Sequence, residues 1–417
     1  MLRKSGPERC HFRHRATRRN LLPYGGRTFP SLRWSIVVRK LYFIGLLGLI
    51  LLEVANVYFI MPMPGSQRIR SIEWAYRVYA WRWVLRAICG LCMATGLRAM
   101  WRARWPGRVL TTVSLLIATA VVYAFNFRLA ADHMFLQPTA LHMESSAHNV
   151  VALDRLVVGV AINGEARAYP LQFIGYHHQV RDSVGGQPVL VTYCTVCRTG
   201  RAFTPAVNGV PESFRLVGMD HFNALLEDHT TRSWWRQANG EAIVGTRKGA
   251  ILPELPSRQV TLRQWLALYP QSLVMQGDRR FANDYAQDYA YERGLSHGAL
   301  TGTDSASWQE KSWVVGLTVN AHNKAYDWNR LQRERLVHDV VGGRPILLVL
   351  SPDNASFFAF ERPKADVYFV LRNDSLVSAT AAYALTGHGA GGTLTAINAS
   401  QEYWHSWRNF HATTDRY

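Results

Sequence analysis

Residues 157–203 read VVGVAINGEARAYPLQFIGYHHQVRDSVGGQPVLVTYCTVCRTGRAF, and residues 314–360 read VVGLTVNAHNKAYDWNRLQRERLVHDVVGGRPILLVLSPDNASFFAF. Laid over one another at a constant offset of 157, without a gap, they agree at 15 of 47 positions. Unrelated segments would share roughly three. The shared residues include Gly159/Gly316, Asn163/Asn320, Tyr169/Tyr326, Asp182/Asp339, the Gly185-Gly186/Gly342-Gly343 pairs and Pro188/Pro345. A looser echo follows at offset 142, where TLRQWLALYPQS (261–272) meets YWHSWRNFHATT (403–414) and Trp265 meets Trp407. VVGVAIN reads as a strand, NGE as a turn and ARAYP as a returning strand, which together make a hairpin. LQFIGYHHQV fits a short helix, and GGQP leads into the apolar strand VLVTY. Two copies predict two similar β-rich lobes related by a pseudo-twofold axis, over about 150–275 and about 310–415. A solenoid would need more repeats.

The differences between the copies locate the chemistry. Cys194 and Cys197 face Ser351 and Asn354, and His177 and His178 face Glu334 and Arg335. The reactive residue types are therefore confined to the first lobe, with the second as support. Asp182 and Asp339 precede equivalent Gly-Gly turns, which points to turn capping and not to catalysis.

The whole chain has 417 residues, 48% apolar, 12% aromatic and 18% charged, with a net charge of +18. Disorder and a small disulfide scaffold are excluded. The charge is local. Residues 1–129 carry 21 Lys and Arg against Glu8, Glu53 and Glu73, whereas 130–417 carry 26 of each sign. A balanced large domain has no excess charge with which to bind nucleic acid. Residues 1–40 form a basic cytoplasmic tail, and 41–129 form a membrane module. Residues 41–61 and 109–127 are long and apolar enough to cross a bilayer, and 83–100 is a weaker third span. Glu53 and Asn56 interrupt the first span and need partners on a neighbouring helix. The arginines of 98–108 favour the cytoplasmic side, which places 62–82 and the domain at 130–417 outside. The expectation is a multi-pass inner-membrane protein whose partner is the lipid bilayer, with a periplasmic domain. If 83–100 only lies on the surface, the parity reverses. The fold class is thus N-terminal transmembrane helices followed by a β-rich (α+β) domain of two internally duplicated lobes.

Particular strings carry a resemblance. These are the G-V-x-I-N-G-E-A-R-A-Y-P run, a His before V-x-D-x-x-G-G-x-P-V, V-T-Y-C-x-x-C, SWWRQANGEAIVG at 233–245 and L-P-S-R-x-x-T-L-x-x-W from Leu255 to Trp265. Over roughly 135–415 the chain resembles the bacterial family catalogued as domain of unknown function 3179, in which many members carry Glu where His178 stands. MPMPGSQ at 61–67 and the membrane module fit a membrane-anchored subset. The resemblance implies a fold, not an activity.

Cys194-Thr-Val-Cys197 closes the VLVTY strand. Two thiols at this spacing chelate a metal, form a disulfide or pack as small apolar groups. Completed by His177, with His178 or His221, they would bind copper or zinc. The first alternative is a thiol-disulfide oxidoreductase, with Cys194 attacking and Cys197 resolving. The second is a non-catalytic module that binds a small molecule or a protein partner through an aromatic pocket walled by Trp234 and Trp235, although core packing is the favoured role for these two. Arg198 and Arg201 flank the turn and either lower the thiol pKa values or, as is favoured, stand in solvent; His405 and His411 could reach the pair, though nothing in the spacing requires it, and Cys10 has no assigned role. Cys89 and Cys92 lie in the weak span, either as small packing residues or as an electron or metal relay. No nucleotide cofactor motif is present.

Overall fold

The computed structural model describes residues 30–417. Cys10 and most of the basic tail lie outside the described residues. Three helices come first: α1 (Pro30–Tyr58), α2 (Ile72–Trp101) and α3 (Trp105–Tyr123). All three are long and apolar enough to cross a membrane. The middle helix begins eleven residues before the expected span. Residues 72–82 are helical because Ile72, Ala75, Tyr76 and Tyr79 recur at i, i+3, i+4 and i+7, and this face packs on the large domain. Tyr76 and Tyr79 lie 5.1 and 5.2 Å from the ring of Trp234.

Glu53 is buried among the helices. Arg86 Nε and Nη2 donate to its two carboxylate oxygens at 2.6 and 2.7 Å, and Asn126 Nδ2 donates at 2.8 Å. One network thus ties the three helices together and neutralises the charge that interrupts the first span. Asn56 has no such partner among the described residues, where its buried amide makes no hydrogen bond.

The large domain is β-rich. Strands Leu156–Ile162 and Glu165–Pro170 form the expected hairpin around Asn163 and Gly164, both at positive φ. They sit in a sheet with Ser257–Thr261 on one side and, in parallel, Leu273–Gln276 on the other. Strands Trp313–Val319 and His322–Asp327 make the same arrangement with Ala399–Tyr403 and, in parallel, Asp415–Arg416. Each hairpin is followed by a seven-residue helix, Leu171–His177 or Trp328–Glu334. Three antiparallel strands then follow, 179–203 in one lobe and 336–361 in the other.

Individual contacts recur as well. Asn163 and Asn320 donate to the carbonyls of Gly185 and Gly342 at 3.0 and 2.9 Å. Tyr169 and Tyr326 donate to Asp182 and Asp339 at 2.7 and 2.8 Å. Each aspartate also accepts the N–H of the next residue, Ser183 or Val340, at 2.7 Å. The Gly-Gly turns are held by asparagines from the preceding hairpin, while the carboxylates take a tyrosine hydroxyl and a cation, Arg167 or Lys324.

The lobes are not independent bodies. One apolar core runs from Val158, Tyr193 and Trp265 through to Leu347, Phe358 and Phe360. The sheet built from 214–220, 223–228, 234–236 and 242–244 has a counterpart at the same place in the second lobe's chain order, the strands 370–372, 375–377, 382–384, 388–389 and 392–393, and the first hairpin of each turns on two residues at positive φ, His221-Phe222 and Asn373-Asp374. The sheet of 214–244 meets the membrane helices through Leu225, Trp234 and Val244, which pack with Ile60 and Ala75.

Candidate functional site

Cys194 ends the strand Gln187–Cys194, and Cys197 lies in the turn before the strand Thr199–Phe203. Both side chains are fully buried and both are free thiols. The reason is local. The following hairpin turns at His221 and Phe222, both at positive φ, and carries the Phe222 carbonyl over the pair. Cys194 Sγ lies 3.5 Å and Cys197 Sγ 3.3 Å from that oxygen. The second lobe closes the other side. Tyr403 N–H donates to the Cys197 carbonyl at 2.9 Å, and His405 Nε2 lies 3.2 Å from the Val196 carbonyl.

The two thiols are electrostatically unequal. Burial works against a Cys194 thiolate, but hydrogen bonds from the Cys197 thiol and from the N–H groups of Cys197, Ala224 and Val196 outweigh it. Its pKa therefore falls below the usual thiol value. Burial and the adjoining Cys194 drive Cys197 well above that value, against opposing hydrogen bonds from Ser406 and Asn223. Lys311 is near enough to feel both sulfurs, and its own pKa is lowered, chiefly by burial. An attacking thiolate beside a protonated resolving thiol is the arrangement that dithiol chemistry uses.

The three histidines are engaged elsewhere. His177 Nδ1 lies 2.5 Å from the Leu136 carbonyl and Nε2 lies 2.8 Å from the Tyr285 hydroxyl, so both ring nitrogens are occupied. His178 Nδ1 meets the Tyr193 carbonyl at 2.8 Å, and its ring packs edge-on to Phe135. His221 turns outward to Asp220, at 2.8 Å. Among the described residues, no three His, Cys, Asp or Glu side chains converge as a metal-holding group.

Other residues depart from their expected places. Arg198 and Arg201, expected in solvent, are buried. Arg201 bridges Glu254 and Glu402, while Arg198 stacks 3.7 Å from the Trp313 ring centre. Trp234 and Trp235 are fully buried, with their indole N–H groups on Glu227 and Asp228. His405 reaches the cysteine turn, although nothing in its spacing required it. Asn223, Lys311 and Ser406 were missed, because nothing in their spacing marks them.

Cys89 and Cys92 face the small residues of α1. A Cβ on Gly48 would stand 3.0 Å from Cys89 Sγ, and one on Gly45 would stand 2.9 Å from Cys92 Cβ. Cys89 lies 17 residues (89 − 72) beyond the start of α2. At the helical rise, that is about 25 Å from the end that meets the domain.

The fold and site together define a protein with three membrane-length helices and a β-rich domain that encloses an unequal cysteine pair. The chain belongs to the family described as protein of unknown function (DUF3179), which matches residues 137–414. Comparison with curated proteins and with solved structures gives no match.

Proposed function

We propose that this chain is a membrane-anchored thiol-disulfide oxidoreductase of the bacterial inner membrane that works through Cys194 and Cys197. The observation that carries this reading is the pair itself: two thiols side by side under one carbonyl, with pKa values pushed in opposite directions. In the reaction, the Cys194 thiolate attacks one sulfur of a partner disulfide, forming a mixed disulfide and releasing a partner thiolate. Cys197 then loses its proton and attacks Cys194 Sγ, which releases the second partner thiolate. The pair ends as a disulfide and the partner gains two electrons. Because both sulfurs are enclosed, the His221–Phe222 turn lifts to admit the partner.

If all three helices cross the bilayer, the α1–α2 loop and the large domain share one side, and the arginines between α2 and α3 support a periplasmic assignment for that side. The recurring strand order and hydrogen bonds of the two lobes support an internal duplication, with chemistry kept in the first copy.

The test uses full-length protein in detergent, with Cys10, Cys89 and Cys92 changed to Ser. After exposure to oxidised glutathione, the wild-type pair should resist alkylation, and after reduction it should take up two labels. Cys197→Ser should hold glutathione as a stable adduct on Cys194. Recovery of no adduct sinks the oxidoreductase reading.

A metal reading stays open as a second proposal on a different donor set, since Met61 and Met63 pack in the same cluster as the two cysteines. Thiolates with thioethers suit copper(I) better than zinc. A metal-to-protein ratio near one, lost in Cys194→Ser, would replace the dithiol reading.

A further inference from the structure

On the opposite side of the cysteine turn, a cleft of about 410 Å³ opens between the two lobes. Its floor holds Arg198 and Gln401, which are 0% and 1% exposed. Arg198 donates from Nε to Gln401 Oε1 at 2.9 Å, from Nη1 to the Tyr291 carbonyl at 2.9 Å and from Nη2 to the Glu292 carbonyl at 3.1 Å. A guanidinium has five N–H groups, so two remain. Among the described residues, no carboxylate lies within ion-pair distance of it. Buried charges are ordinarily paired.

Gln401 is short of an acceptor too. Its Oε1 takes hydrogen bonds from both Arg198 and Gln259, which fixes the amide orientation, and its Nε2 has no partner. The carboxylates nearby are committed. Glu292 holds Arg155 Nη1 and Leu156 N–H at 2.7 and 2.6 Å. Asp353 takes the Thr261 and Ser356 hydroxyls and two backbone N–H groups. Asp154 holds Arg293. The floor of the cleft thus presents a positive charge and spare donors, with the Glu292 carboxylate near enough to feel Arg198 but outside ion-pair distance. Trp313 and Trp328 line its walls, and Arg263 stands exposed at its mouth.

We propose that this cleft binds a small molecule through an oxyanion group seated on Arg198 and Gln401, with its apolar body against Trp313 and Trp328. The site is separate from the dithiol, and its ligand does not depend on that chemistry. Arg198 follows Cys197 directly and holds a positive φ of 59°, so the backbone that shapes the cysteine turn also delivers this cation.

The test is thermal unfolding of the full chain in detergent with benzoate or inorganic phosphate at about 10 mM, since a ligand of the folded state raises Tm by mass action. Benzoate acting alone identifies an organic carboxylate, and phosphate acting alone identifies a phosphate group. Gln401→Glu is nearly isosteric and gives Arg198 its missing carboxylate. It should weaken binding at least tenfold while its own Tm without ligand equals or exceeds that of the wild type. Arg263→Ala, at an exposed position, should leave the unliganded Tm unchanged and weaken binding several-fold, which keeps the idea testable if Gln401→Glu fails to fold. No shift of the wild type with either anion overturns the proposal, as does a shift undiminished in the variant that folds.

Discussion

Cys194 is held below the ordinary thiol range by donors, the largest being the Cys197 thiol. Its rate of alkylation should therefore reach half-maximum at a lower pH than a free cysteine, which titrates near about 8.5. Replacing that donor in Cys197→Ala should move the midpoint upward, as a pH series with iodoacetamide would show. Two buried histidines set a second pH response. Burial lowers the pKa of both His178 and His405 to about 4. Unfolded, each titrates near about 6.5. The unfolded chain thus binds protons first, and the contribution of the two neutral rings to stability is complete above pH 6.5, declines as pH falls toward 4, and is gone below that. By linkage the pair should cost about 4 kcal/mol between pH 7 and pH 5. His178→Gln with His405→Gln should make the Tm profile less steep over that interval, His177, His338 and His411 supplying part of the remaining slope, and an unchanged slope would refute the assignment. The cysteine pair was readable from spacing and from its absence in the second copy. The engagement of His177 was not, because it depends on Leu136 and Tyr285, residues 41 before and 108 after it in sequence.

At the scale of elements, each lobe rests on one tight contact between a glycine in a strand and a tryptophan on a helix. A Cβ on Gly159 would stand 2.4 Å from Trp265, and one on Gly316 would stand 2.1 Å from Trp407. Each indole is fixed from its other end, by Ser272 and Thr414 respectively, so it cannot simply swing away. Gly159→Ala and Gly316→Ala should each destabilise by about 1–3 kcal/mol through overpacking, seen as a lower urea midpoint. Equal stability for both variants would mean that the rings yield. These glycines and tryptophans appear in the sequence echo, and so do the hairpins and Gly-Gly turns, because a repeated pattern reports a repeated environment. The sheet spanning 214–244 was not anticipated in the same way. Its counterpart at 370–393 lies beyond the gapless echo, which ends at Phe203 and Phe360, and the strands of 214–244 gain their burial from helices far away in sequence.

For the molecule as a whole, the membrane module is joined by the Glu53–Arg86–Asn126 network. Glu53→Leu leaves Arg86 without its carboxylate and should cost about 3–5 kcal/mol, while Glu53→Leu with Arg86→Leu should cost much less. Thermal stability in detergent would separate the two, and a loss in the double variant equal to the sum of the two single losses would show that the charges act independently. The junction with the domain is just as intimate. Met219 N–H donates to the Ile60 carbonyl at 2.6 Å, and Phe222 N–H donates to Gln67 Oε1 at 3.1 Å. Val57 and Met61 share an apolar cluster with Cys194, Cys197 and Leu216, and Ile60 packs on Val217. The end of α1 and the loop after it are therefore the floor of the large domain as much as the top of an anchor. Cutting the chain near residue 130 to obtain a soluble piece would strip that floor away. It would leave Leu216, Val217 and Met219 as an open greasy face and let water reach the sulfurs from below. Such a fragment would report the chemistry of a damaged site, so the protein is best studied with its membrane helices attached.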